Sequence, residues 1–181
     1  MRRLWWLVLV GLAACAPSST NPYNYQYVQV SGRTTDETVD FYTQRVKRNP
    51  RGAVDRAILA GAYLEKGRLT RDPSYFALAG QLAQESLERQ ANPPATLVLA
   101  QVHEASHEFA ECVSLCEDVL HHDSNNEGAL SLLTTANIEL GRVDEAEKWF
   151  ERLPREPGPA YLGLKGRLAE ARGEFEQAAD F

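Results

Sequence analysis

Four side chains have types and spacing suited to metal or redox chemistry. His103 and His107 stand four apart near the end of one helical stretch, and Cys112 and Cys116 stand four apart near the start of the next. In an antiparallel helical hairpin His107 comes near Cys112 and His103 near Cys116, and two imidazoles with two thiolates can hold a tetrahedral zinc ion. A blander reading fits the pattern better. Cys112 occupies a small-residue position that is alanine elsewhere in the chain (Ala146, Ala178), and Cys116 aligns with Phe150. Buried cysteine behaves as a small hydrophobe, and the histidines then lie at a turn, open to water. A Cys112–Cys116 disulfide inside one helix is sterically awkward. Zinc is the minority reading, and the expectation is a chain with no metal and no cofactor.

Other chemistry finds little support. The sequence has no Gly-rich phosphate loop, no HExxH and no GxSxG elbow. Acidic residues are spread along helix exteriors, where solvation is the default explanation. His121 and His122 end a helix, where positive charge complements the dipole. The chain is expected not to be an enzyme.

The elements that would position these residues are pairs of helices. Residues 127–154 read as two antiparallel helices, 127–140 and 144–153, around a turn at Gly141-Arg142-Val143. Ala146, Phe150 and Leu153 make one apolar stripe on the second. A hairpin of this size needs neighbours to bury that stripe, and the pattern recurs. A turn followed by a small residue opening a helix occurs at Gly67 with Ala79, His107 with Cys112, Gly141 with Ala146 and Gly173 with Ala178. The small residues lie 33, 34 and 32 positions apart. This period and pattern resemble the tetratricopeptide repeat (TPR), a helix-turn-helix of about 34 residues. The matching residues include Leu59, Ala60, Tyr63, Leu99, Ala100, Leu133 and Gly166, and the resemblance covers 36–181.

The resemblance implies an all-α fold, a TPR-type α-solenoid of antiparallel helix pairs. The expected organisation is a capping helix at 36–48, then repeats at about 53–92, 93–126, 127–158 and 159–181, the last incomplete. The cap carries Val39, Tyr42 and Val46 on one stripe and ends at Asn49-Pro50. Helices are expected at 53–66 and 74–90, joined by a connection from Gly67 to Pro73 that is seven residues longer than the others. Arg68, Arg71 and Asp72 make it read as a solvated loop. The last stretch exposes Phe175, Ala178, Ala179 and Phe181, which is not a polar cap. That end reads as the break of a longer protein, or as a face covered by a partner or a second copy.

The first residues, MRRLWWLVLVGLAAC, join two arginines to an apolar run from Leu4 to Leu12 that is too short to span a bilayer. Leu12-Ala13-Ala14-Cys15 resembles the bacterial lipobox. The resemblance implies a lipoprotein signal peptide at 1–14, removed before a lipidated Cys15, and a lipid anchor in a membrane. Ala16 after the cysteine, by the enterobacterial sorting rule, favours the outer membrane facing the periplasm. Residues 15–35 then form an extended, flexible tether. Within it, Tyr23, Tyr25 and Tyr27 alternate with Asn24 and Gln26 up to Val30. That pattern suits a strand lent to a partner's sheet edge or an interfacial aromatic patch, although an extended linker is the simpler account. The chain carries a net charge of −6, and losing Arg2 and Arg3 with the leader makes it −8. An acidic body argues against nucleic acid and against lying on anionic lipid.

Within the TPR family, segments of partner proteins bind the concave face lined by the first helices of successive repeats. Carried over, the groove candidates are Leu97, Gln101 and Glu104, then Ser131, Thr135 and Ile138, then Gly163, Arg167 and Glu170. The family's clamp for C-terminal carboxylates uses lysines and asparagines that this sequence lacks at these positions. The groove therefore reads as mostly neutral, suited to a helix or extended segment held by shape. The resulting expectation is a membrane-anchored periplasmic scaffold that binds another protein of the cell envelope, with pilus or secretin assembly and outer-membrane assembly as the roles the family suggests. The rivals are a zinc-binding or redox module and a homo-oligomeric structural protein self-associating through its C-terminal end.

Overall fold

Helix boundaries follow from prolines, short polar caps and left-handed turn residues. The computed structural model of the chain describes residues 35–155 and 158–178. Cys15, the tether with Tyr23–Val30, and Phe181 lie outside the described residues. Among the described residues all regular structure is helical: α1 Thr35–Arg48, α2 Ala53–Thr70, α3 Pro73–Leu87, α4 Pro93–Ala105, α5 Phe109–His122, α6 Glu127–Glu139, α7 Val143–Phe150, α8 Pro159–Ala171 and α9 Phe175–Ala178. Asp72, Asn92 and Asn126 accept from the backbone N–H groups of Ser74, Ala95 and Ala129 at 2.9, 3.0 and 3.0 Å, capping α3, α4 and α6. Pro73, Pro93 and Pro159 occupy first-turn positions, where no N–H is needed.

Three helix ends share one closing device. The N–H of Glu108 donates to the His103 carbonyl, that of Arg142 to Asn137, and that of Glu174 to Ala169, at 2.9, 2.8 and 2.9 Å. Between them His107, Gly141 and Gly173 adopt φ of 60°, 71° and 79°. This is the Schellman arrangement, in which a left-handed residue lets orphan carbonyls find donors. Two of the turns use glycine, and the first strains a histidine.

The first connection departs from expectation. The long loop after Gly67 does not form: α2 continues to Thr70, and Arg71 and Asp72 alone link it to α3. Gly67 is a buried packing site rather than a turn. A Cβ there would stand 3.1 Å from the Phe76 ring, so the missing side chain lets α3 lie close against α2. Arg71, with φ of 58°, takes the left-handed position instead and bonds back to the Gly67 carbonyl.

Each helix packs on the next, and apolar clusters run through the stack. Val39 and Tyr42 of α1 meet Leu59 and Ala62 of α2. Ala60, Ala83 and Leu99 join α2, α3 and α4. Ala100, Cys112, Cys116, Val119, Ala129, Leu133 and Ala136 join α4, α5 and α6. Each fully buried large aliphatic, such as Leu133, contributes roughly 1.5–3 kcal/mol. Polar groups taken inside are bonded. Ser86 Oγ donates to the Ala53 carbonyl at 2.7 Å and accepts from Asn92 Nδ2 at 3.0 Å. Arg56 bonds Glu85 and the Gly52 carbonyl.

Candidate protein-binding groove

The four residues that suggest metal chemistry do not converge. Cys112 and Cys116 are free thiols with no exposed surface, sealed between α4, α5 and α6. His103 Nδ1 instead pairs with Glu108 Oε2 at 2.6 Å. His107 is exposed in its left-handed turn, edge-on to the Phe109 ring at 5.5 Å. Among the described residues no three His, Cys, Asp or Glu side chains gather as a metal site would require. The hairpin does bring the two pairs to one helix junction, but α5 turns its sulfur atoms inward, the turn exposes His107, and half-buried His103 is taken by Glu108.

The first helices of the pairs make a continuous surface. The backbones of α2 and α4, of α4 and α6, and of α6 and α8 approach closely, whereas those of α3, α5 and α7 stand farther from one another. The row of first helices is therefore the tighter layer, and a stack of two-layer pairs bends with its tighter layer inside. Small residues permit this approach. A Cβ on Gly61 of α2 would meet Val98 of α4 at 3.7 Å, and one on Gly128 of α6 would meet Leu97 of α4 at 3.1 Å.

The candidate residues fall along this row with unequal access. Leu97 is half-buried against the α4–α6 core. Gln101, Glu104, Ser131 and Ile138 are half-buried, and Gly163 and Glu170 are exposed. Thr135 is only 9% exposed, because Arg167 Nη1 from α8 reaches its hydroxyl at 3.4 Å. Arg167 also pairs with Glu139, a groove residue that the alignment passes over. Its signal was available: Glu139 is one helical turn beyond Thr135. With it, the C-terminal halves of α4, α6 and α8 carry Glu104, Glu139 and Glu170, and Arg167 pairs with Glu139. Those halves are less neutral than expected. The surface offers half-buried apolar groups and a few charges.

The Tetratricopeptide repeat family model matches residues 105–168. Among solved structures the fold is similar to two crystal structures of MamA, each 15% identical with a TM-score of 0.62 and covering 81% of this chain. The match spans 83% of one MamA chain and 78% of the other. No curated protein matches the chain in sequence. The repeats and the fold together support a protein–protein interaction scaffold, since TPR proteins generally bind other proteins.

Proposed function

We propose that this chain is a non-catalytic scaffold, held to a membrane of the cell envelope by lipid on Cys15 and facing the periplasm, whose inner helix row docks a segment of another envelope protein. The continuous contact of α2, α4, α6 and α8 carries this reading, because it assembles one binding surface from four repeats. The lipobox-like sequence before Cys15 supports the anchor, and the outer membrane is the assignment that Ala16 favours. Assembly of a pilus secretin or of the outer membrane is the class of task we assign.

The structure selects the probe positions. Thr135 is shielded by Arg167, so a photo-crosslinking residue belongs at Gly163, which is exposed and would meet no atom within 4 Å of an added Cβ. Lys148, exposed on α7, is the control. A discrete envelope protein captured in cells from position 163 and not from 148 supports the groove. Equal, diffuse labelling from both positions refutes it. The anchor is tested separately: Cys15→Ser should move the chain out of the membrane fraction, and retention there would remove the lipid from the proposal.

A further inference from the structure

The chain is acidic overall, yet the fold gathers exposed positive charge at one corner. Residues 45–56 contain Arg45, Lys47, Arg48, Arg51 and Arg56. The structure divides these five into two groups. Arg45 is used by Asp55 at 2.9 Å, and Arg56 by Glu85 at 3.1 Å. Lys47, Arg48 and Arg51 are exposed, and no described carboxylate pairs with them. Arg89, at the end of α3, joins them by donating to the Pro50 carbonyl at 3.3 Å, beside Arg51. Asp55 and Glu85 are engaged, Glu85 facing Arg89 as well as Arg56, and Glu88 follows the end of α3. The turn itself is closed by the Gly52 N–H on the Asn49 carbonyl at 3.0 Å, and α1 ends there with basic residues in its last turn.

We infer that this corner, formed by Lys47, Arg48, Arg51 and Arg89 at the α1–α2 turn, is a docking surface for an anionic lipid bilayer. The corner lacks the apolar anchor on which protein interfaces rely. The large hydrophobic residues exposed among the described residues are Phe41, Leu69, Leu78 and Phe175, none of them in this turn. A headgroup layer requires only long basic side chains near its phosphates, each worth about 1 kcal/mol at an anionic surface. The position in the chain also fits. Twenty peptide units separate Cys15 from Thr35, a reach of at most about 70 Å, so an anchor at Cys15 keeps α1 near a bilayer. The acidic remainder is repelled by the same surface, and the two effects together would orient the molecule with its α1–α2 corner toward the membrane. Proximity leans on the lipid-anchor reading, whereas the test reads the corner itself.

The full chain would be mixed with phosphatidylglycerol-rich vesicles and with phosphatidylcholine vesicles, and bound fractions measured by co-sedimentation at low and high salt. Lys47→Glu/Arg48→Glu/Arg51→Glu alters the corner. Arg142→Glu/Lys148→Glu/Arg155→Glu changes net charge equally, two repeats away. The leader and Cys15 are the same in all three proteins, so their membrane affinity cancels. We expect the parent to prefer the anionic vesicles in a salt-sensitive way, the corner variant to bind them on the order of 100-fold more weakly, and the distant variant to retain most of the preference. Equal binding of the parent to both vesicle types overturns the inference. So does an equal loss in both triple variants, which would assign the effect to net charge alone. Circular dichroism of the variants, whose altered side chains are all exposed, confirms that the fold is retained.

Discussion

A hydrogen bond with the neighbouring Cys112 thiol, and burial away from water, push the Cys116 pKa above the ordinary thiol range. Since the thiolate is the nucleophile and the metal ligand, burial removes the reactivity that the residue type promises. His107 shows the opposite case, a side chain that is exposed because its backbone is strained. At φ of 60° it stands where Gly141 and Gly173 close the neighbouring turns. His107→Gly should therefore stabilise the fold by about 1 kcal/mol, read as a shift in the urea midpoint with unchanged slope; a loss of stability would mean that the Phe109 contact outweighs the strain. Glu85 supplies a pH dependence. The side-chain bond from Gln81, and secondarily the Arg56 guanidinium, hold its carboxyl below the usual glutamate value of 4.5. A depressed folded-state pKa contributes stability that is fully present above the unfolded value and is lost as pH falls through the folded one. The difference in melting temperature between the parent and Glu85→Gln should be constant above pH 4.5 and shrink below it. A difference that stays flat into strong acid would show that the pairing carries no such linkage.

At the scale of elements, the junction of α2, α3 and α4 depends on one buried polar chain. Asn92 caps α4 through Oδ1 while its Nδ2 reaches Ser86 Oγ and the Gln90 carbonyl, and Ser86 in turn bonds the first residue of α2. Asn92→Ala removes the cap and leaves Ser86 without its donor. Loss of a cap costs about 1 kcal/mol, and unmaking buried hydrogen bonds costs about 1–3 kcal/mol more. The expected destabilisation is about 2–4 kcal/mol by chemical unfolding, well above the cost of removing a surface asparagine. A change under 0.5 kcal/mol, within the range of ordinary surface substitutions, would show that water replaces the side chain. Gly67 belongs to the same junction, where its missing side chain makes room for Phe76. The position usually read as a helix terminator here sets the distance between two helices.

Across the whole molecule, stability should be graded, because each pair in such a stack is held only by its neighbours. The α4–α6 core buries seven residues in one cluster. α8 buries only Leu168 and Ala169, and in α9, described over Phe175–Ala178, Phe175 is 71% exposed. Amide hydrogen exchange followed by mass spectrometry should find slowest exchange in α4–α6 and much faster exchange in α8 and α9. Uniform protection from α2 through α9 would contradict this and indicate one cooperative unit. A partner seated along the inner row would touch α8 as well, so its binding should slow exchange most where the free chain is least stable.

Local and periodic features of this protein were determined by the sequence alone. The spacing of Ala79, Cys112, Ala146 and Ala178, with Pro and Asn at helix starts, specifies helix pairs that recur at nearly one period, because capping and amphipathic period act over a few neighbouring residues. The same pattern placed Cys112 and Cys116 in the core, where alanine and phenylalanine stand in sister pairs. Contacts between helices were decided by the tertiary structure. Gly67 carries the same letter as Gly141 and Gly173, but only the Phe76 ring packed on it makes it a helix-interior residue. Thr135 has the register of a groove residue, yet Arg167 from the next pair covers it. The five basic residues of 45–56 look equivalent in sequence, and only the folded chain supplies Asp55 and Glu85 to two of them and brings Arg89 to the rest. In each case the deciding partner lies on another helix, at a separation that propensity and periodicity do not reach.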